Sequence, residues 1–156
     1  MGAEVALAMM AVGTAVNAYG QYQAGKAQQR AAEYNAQIQE RNAEIAKQQA
    51  EYEARRQAKR TRQVLASQRV AYNASGFVGS AGTALDTLRQ TMQEGEMDRM
   101  AIMYGGDVEA VNQRSQAALS RMKGKAAAQA GRIGAFGTLL GGGGNTYKAG
   151  YDMGIF

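Results

Sequence analysis

Cysteine, histidine, proline and tryptophan are all absent from this 156-residue chain. Without cysteine there are no disulfides and no thiolate chemistry, and the redox state of the compartment leaves no mark. Without histidine the commonest metal ligand and the usual neutral-pH acid–base group are missing. Proline removes a backbone donor and clashes inside helices, so its absence permits helices of unusual length. Large apolar side chains are also scarce, with three Phe and eight Tyr. The 46% hydrophobic fraction comes mostly from Ala and Met, and Ala buries little area. A deep monomeric core is therefore not expected, and stability should come from long helices packing on neighbours.

What is present favours helix. Ala, Gln, Glu, Arg, Lys and Met, all strong helix formers, fill the middle of the chain. The expected fold class is all-α, with two long helices joined by a Gly-rich break, either as a hairpin or splayed, and with apolar Gly/Ala-rich ends. Glycine marks the divisions because it costs up to about 1 kcal/mol inside a helix. None lies between Lys26 and Ser75, three cluster at Gly76, Gly79 and Gly82, and nine fall between Gly131 and Gly154.

Five segments follow. Residues 1–20 form an apolar N-terminal segment, shorter than the ~20 apolar residues of a comfortable bilayer span. A secretory leader is not expected there, because the segment lacks Lys and Arg and carries Glu4; the myristoylation pattern fails at Ala6. Residues 21–72 read as one long polar and basic helix, on which Ile38, Ile45 and Tyr52 repeat every seven residues after Ala31. Arg41 and Gln48 occupy the companion line, so the helix offers a narrow ridge rather than a two-line coiled-coil seam. Residues 73–82 are a Gly/Ser-rich joint formed by Gly76, Gly79 and Gly82. Thr83 and Asp86 then resemble a helix-starting capping box. Residues 83–136 form a second amphipathic helix, with Leu85, Leu88 and Met92 on one face and Met97, Met100, Tyr104, Val108, Val111, Ala118, Met122 and Ile133 continuing the stripe. Gly105 and Gly106 mark an expected kink, with Asp107 capping the restart. Residues 137–156 are a Gly-rich apolar tail.

If the joint is a turn, both arms run back from it over about the same length. At 1.5 Å per residue the two apolar ends then lie side by side, roughly 80 Å from the turn. Candidate membrane or oligomer contacts at the first end are Val5, Leu7, Met9, Val12, Gly13 and Val16. At the other end they are Ile133, Gly134, Phe136, Gly137, Leu139 and Leu140. Gly13, Gly131, Gly134 and Gly137 are the small residues expected to let these helices approach closely.

Charge is blocked along the chain. From Lys26 to Tyr72 ten bases stand against five Glu; from Asn73 to Ala110 six acids stand against two Arg; from Val111 to Lys148 there are six bases and no acid. Arg55, Lys59, Arg62 and Arg69 share one helical face, with Arg56 and Arg60 beside them. Such a stripe suits sequence-independent phosphate contacts, pairing with the acidic block at Glu94, Glu96 and Asp98, or plain solvation. No catalytic constellation is legible: a Ser nucleophile has no His base, and the glycines match no phosphate loop. No enzyme activity, metal site or cofactor is expected.

The order of segments carries a resemblance. A small apolar start is followed by AAEYNA at 31–36 and RNAE at 41–44, then an Arg-rich stretch ending in ASG at 74–76 and GSAGTALD at 79–86, then a tail with GTLLGG at 137–142. From about residue 3 to 144 this resembles the small internal virion proteins, or ejection proteins, of short-tailed bacteriophages. The resemblance implies storage in the virion interior near the portal, and release into the host envelope, with the outer membrane as the destination. There the chain would oligomerise as part of a channel for genome delivery. Its partners would be copies of itself, other ejection proteins, portal and tail proteins, the envelope membrane and, non-specifically, phage DNA. A structural virion core or portal-associated scaffold, and a cellular helical adaptor, are the readings from other classes.

Overall fold

The computed structural model describes residues 2–76 and 82–152, the side chains of 2–4, 6 and 7 excepted. It is all-α: helix α1 spans Gly2–Ala74 and helix α2 spans Gly82–Asp152. Three expected boundaries move. The apolar start and the polar helix are one continuous α1, so the apolar 1–20 segment is not a separate element. Thr83 lies inside α2 rather than capping it, and Asp86 reaches Arg89 at 3.7 Å. Most of the Gly-rich tail is helical too, since α2 passes Phe136 and Gly141–Gly144 on its way to Asp152. The cost of those glycines is offset where a neighbouring helix comes close.

The chain divides into two compact units, Met1–Ile38 with Gln116–Phe156, and Gln39–Ser115. In each, a stretch of α1 packs antiparallel on a stretch of α2. In the first unit Thr14 meets Gly142, Gly25 meets Gly131 and Ala32 meets Gly124. In the second, Ala50 meets Gly106 and Thr61 meets Gly95.

The buried residues are small. Ala18, Ala36, Ala43, Ala50, Ala54, Ala110, Ala117 and Ala128 are the buried apolar side chains, with Leu88 as the one larger member among the described residues. Part of the seam recurs every eleven residues, through Gly95, Gly106, Ala117 and Ala128 on α2 and Ala32, Ala43, Ala54 and Leu65 on α1, all buried or half-buried, while Ala36, Ala43 and Ala50 stand seven apart. Eleven residues make three turns at about 3.67 per turn, close to the free helix, so one line keeps facing its partner with little supercoiling. At Gly25 an added Cβ would lie 2.9 Å from the Ala127 carbonyl oxygen and 3.1 Å from the Gly131 Cα. The backbones themselves touch there.

Helix α2 runs unbroken through Gly105 and Gly106. Gly106 sits against the Ala50 Cβ, and Asp107 bonds Lys47 across the seam at 2.9 Å instead of capping a restart.

Candidate functional site: the outward surfaces of the two units

Because the seam takes the small residues, the large ones point outward. In the first unit Val5, Met9, Val12 and Val16 on α1 are exposed, as are Ile133, Phe136, Leu139 and Leu140 on α2. The side chain of Leu7 lies outside the described residues. Val5, Ala8, Met9, Val12 and Gly13 line a shallow apolar trough of about 560 Å³. The four glycines expected at close approaches divide evenly. Gly131 and Gly134 face α1, at Gly25 and Gln21, whereas Gly13 and Gly137 face open space.

This unit also lacks charge over much of its length. Val5 to Gly25 carries no ionisable acid or base, nor does Ile133 to Tyr147, and the seam lays one stretch along the other. The polar groups inside are served locally. Gln21 Nε2 donates to Thr138 Oγ1 at 3.0 Å. The hydroxyls of Thr14, Thr138 and Thr146 donate to helix carbonyls one turn back, at Met10, Gly134 and Gly142. Among the described residues no helix is long and apolar enough to cross a membrane. At its charged end the unit is clamped by Arg121 Nε on Glu33 at 3.1 Å.

The second unit is charged on both arms. Its α1 part, residues 39–74, has eight bases and four acids; its α2 part, residues 82–115, has six acids and three bases. Little of this opposition is satisfied across the seam. Arg55, Arg56, Lys59, Arg60, Arg62 and Arg69 are all exposed. Arg55 reaches Glu51 on its own helix at 3.8 Å, and Arg56 lies over the Tyr52 ring, 5.9 Å from its centroid. The acidic block is engaged elsewhere: Glu94 accepts from Gln90, Asp98 accepts from Gln57, and Glu96 binds Arg99. Pairing of the basic stripe with Glu94, Glu96 and Asp98 within one chain is therefore not formed. The Arg99 guanidinium, hydrogen-bonded to Glu96, holds that carboxyl below the usual carboxylate range, and Arg99 is raised in turn.

A groove of about 870 Å³ runs along this unit, floored by Ala54, Ala58, Thr61, Leu65, Met92 and Gly95 and rimmed by Arg55, Arg62 and Arg99 with Glu51 and Glu96. On the faces turned away from the seam stand Ile45 and Tyr52 on α1, and Met97, Met100, Tyr104, Val108 and Val111 on α2, all exposed.

At the joint, Gly76 has φ of 79° and Gly82 has φ of 66°, a region where a Cβ is strained. Ser75 N donates to the Ala71 carbonyl at 3.1 Å and Gly76 N to that of Asn73 at 3.2 Å, closing α1 with a left-handed cap. Gly79 lies outside the described residues.

Gly25, Gly95, Gly106 and Gly124, the points of close approach, were not legible from the seven-residue ridge of Ile38, Ile45 and Tyr52. For Gly95 and Gly106 the signal is the eleven-residue recurrence of Gly and Ala through Ala117 and Ala128; Gly25 and Gly124 stand outside that line. Compared with known proteins, the chain matches no family model, no curated protein and no solved structure.

Proposed function

We propose that this chain is an internal virion protein of the ejection type, which leaves the particle and assembles in the host envelope as part of a conduit for the genome. The observation that carries the reading is the inverted distribution of side-chain size. Ala and Gly fill the seam, while Val5, Met9, Val12, Val16, Phe136, Leu139 and Leu140 face outward. Exposed apolar surface on this scale needs a cover. The paired uncharged stretches at Val5–Gly25 and Ile133–Tyr147 suit lipid or neighbouring copies, since their hydroxyls and the Gln21 amide have internal partners.

No single helix here qualifies as a lone span, so insertion would require several copies sharing their apolar faces. That same fact favours a second reading, a virion core or portal-associated scaffold whose outward apolar residues meet other virion proteins. Partners in either case are copies of the chain and neighbouring virion proteins. Phage DNA is a non-specific contact through the basic stripe.

The test is release of a small dye from vesicles of phosphatidylethanolamine and phosphatidylglycerol. The wild-type protein should release it, and Val12→Asp combined with Leu140→Asp should suppress release, because each central charge costs about 3 kcal/mol on insertion scales. Intact vesicles with wild-type protein, together with an infectious doubly substituted phage, would put the scaffold in place of the conduit.

A further inference from the structure

The second unit has one basic arm and one acidic arm, and its seam leaves that opposition nearly unused. Between the arms, Lys47 to Asp107 at 2.9 Å is an ion pair, and Gln57 to Asp98 at 3.1 Å is a hydrogen bond from a neutral donor. Glu94 and Asp98 therefore meet amide donors, Gln90 and Gln57, and, among the described residues, no base across the seam. Arg56 and Arg60 point away from the seam, as do Ile45 and Tyr52 on the same arm. On the acidic arm the outward face is apolar, with Tyr52's counterpart Tyr104 at 71% exposure and Met97, Met100, Val108 and Val111 around it.

We propose that α1 of one copy packs on α2 of the next through these outward faces, giving a head-to-tail contact between unlike surfaces rather than a two-fold one. The proposal rests on the self-assembly in the function above and specifies which surface meets which. A two-fold contact between α1 arms would set Arg56 and Arg60 against their own copies, and one between α2 arms would cover only the Met97–Val111 face and leave Ile45 and Tyr52 exposed. The unlike contact covers both apolar faces and turns the α1 bases toward the arm that carries six acids and three bases. Repeated, such a contact closes into a ring when the rotation allows.

The register follows from the seam. Ala50 faces Gly106 and Thr61 faces Gly95 within the unit, so residues in that pairing stand at one height. In a ring whose axis runs parallel to the helices of this unit, equal heights meet between neighbours. Ile45 then comes level with Val111 and Tyr52 with Tyr104, while Arg56 and Arg60 lie within about one turn of Glu94 and Asp98.

The absence of native cysteine makes the test clean. Tyr52→Cys and Tyr104→Cys are prepared as single variants and oxidised alone and mixed, and wild-type sedimentation is measured in buffer and with vesicles. The expected result is a disulfide dimer in the mixture alone, and a ladder of multimers when one chain carries both substitutions. Arg56→Glu with Arg60→Glu should lower the cross-linked yield about tenfold, some 1.4 kcal/mol, and Glu94→Arg with Asp98→Arg should restore it. If wild type assembles but each single variant cross-links to itself, the head-to-tail contact is wrong and the assembly reading survives. A wild type that sediments as a monomer in both conditions overturns the assembly reading as well. Unchanged cross-linking in the Arg56/Arg60 variant, with retention on DNA at low salt abolished, would assign the arginines to a polyanion and overturn the proposed contact.

Discussion

The two units solve the same packing problem with different material. In Met1–Ile38 with Gln116–Phe156 the seam is bare backbone, Gly25 on Gly131, and the outer surface is uncharged over long stretches. In Gln39–Ser115 the seam contains larger contacts: Leu88 is buried, and Gln68 Nε2 donates to Thr91 Oγ1 at 3.2 Å. Its outer surface is heavily charged. The difference teaches that the small-residue seam does not depend on the polarity around it. Close approach is set by the Gly and Ala residues of the seam, which leaves the outward faces free to differ, one suited to lipid or apolar neighbours and one to charged neighbours.

The seam of the first unit is where that contrast breaks most easily. Gly25→Leu and Gly131→Leu each press a Cβ against a carbonyl oxygen of the other helix, 2.9 Å from Ala127 O and 2.8 Å from Gln21 O. Backbone cannot swing aside as a side chain does, so each should cost at least the ~1–3 kcal/mol of an overpacked core. Denaturant titration should show it, with Gly137→Leu, which meets nothing within 4 Å, nearly neutral. Equal losses at Gly131 and Gly137 would remove the seam from the argument.

A smaller effect is expected at the joint. Gly76→Ala and Gly82→Ala force a Cβ into the left-handed region and should each cost about 1–2 kcal/mol, read as a lower midpoint with helical content retained. Asp107→Asn should do less. Its pair with Lys47 is 60% and 42% exposed on the two side chains, so a loss under about 1 kcal/mol, fading in salt, is the expectation.

The smallest effect is the pH response of Glu96. Its folded carboxyl is held below the ordinary value by Arg99, so its contribution is present above the unfolded carboxylate range. That contribution is lost as pH falls through the lowered folded value. Both groups are at the surface, and the change should vanish in Arg99→Gln. Comparing acid unfolding of the two proteins checks it: wild type should lead at pH 6 to 8 and lose that lead as pH falls, and a lead that grows on acidification would contradict the sign.

The sequence made the all-α class and the pairing of two arms legible, because absent proline and clustered glycine are strong local signals. Gly76 and Gly82 were readable as joint residues for the same reason, and both adopt positive φ. The inner line was not. Ile38, Ile45 and Tyr52 repeat every seven residues and draw the eye, yet Ala36, Ala43 and Ala50 are the buried ones. Hydrophobicity weights large side chains, whereas a close helix pair selects for the absence of a side chain. Gly106 was read as the site of a restart on the same ground: the local cost of glycine was visible, and the Ala50 methyl beside it was not. The charge blocks were visible too, but not that Gln90, Gln57 and Arg99 would occupy Glu94, Asp98 and Glu96.

A seam made of methyl groups and exposed Cα atoms has little to interlock. Among the described residues Leu88 is the one large side chain buried in it, so few bulky knobs have to be withdrawn before the next contact can part. Pulled from one end, such a pair of helices would peel turn by turn, each step releasing only the ~0.8 kcal/mol scale of a methyl contact. A bolted core would resist and then fail at once; this one behaves like a strip of weak adhesive. In the ejection role proposed above, a seam that opens under modest tension would let the two arms part and pair again with their helices whole.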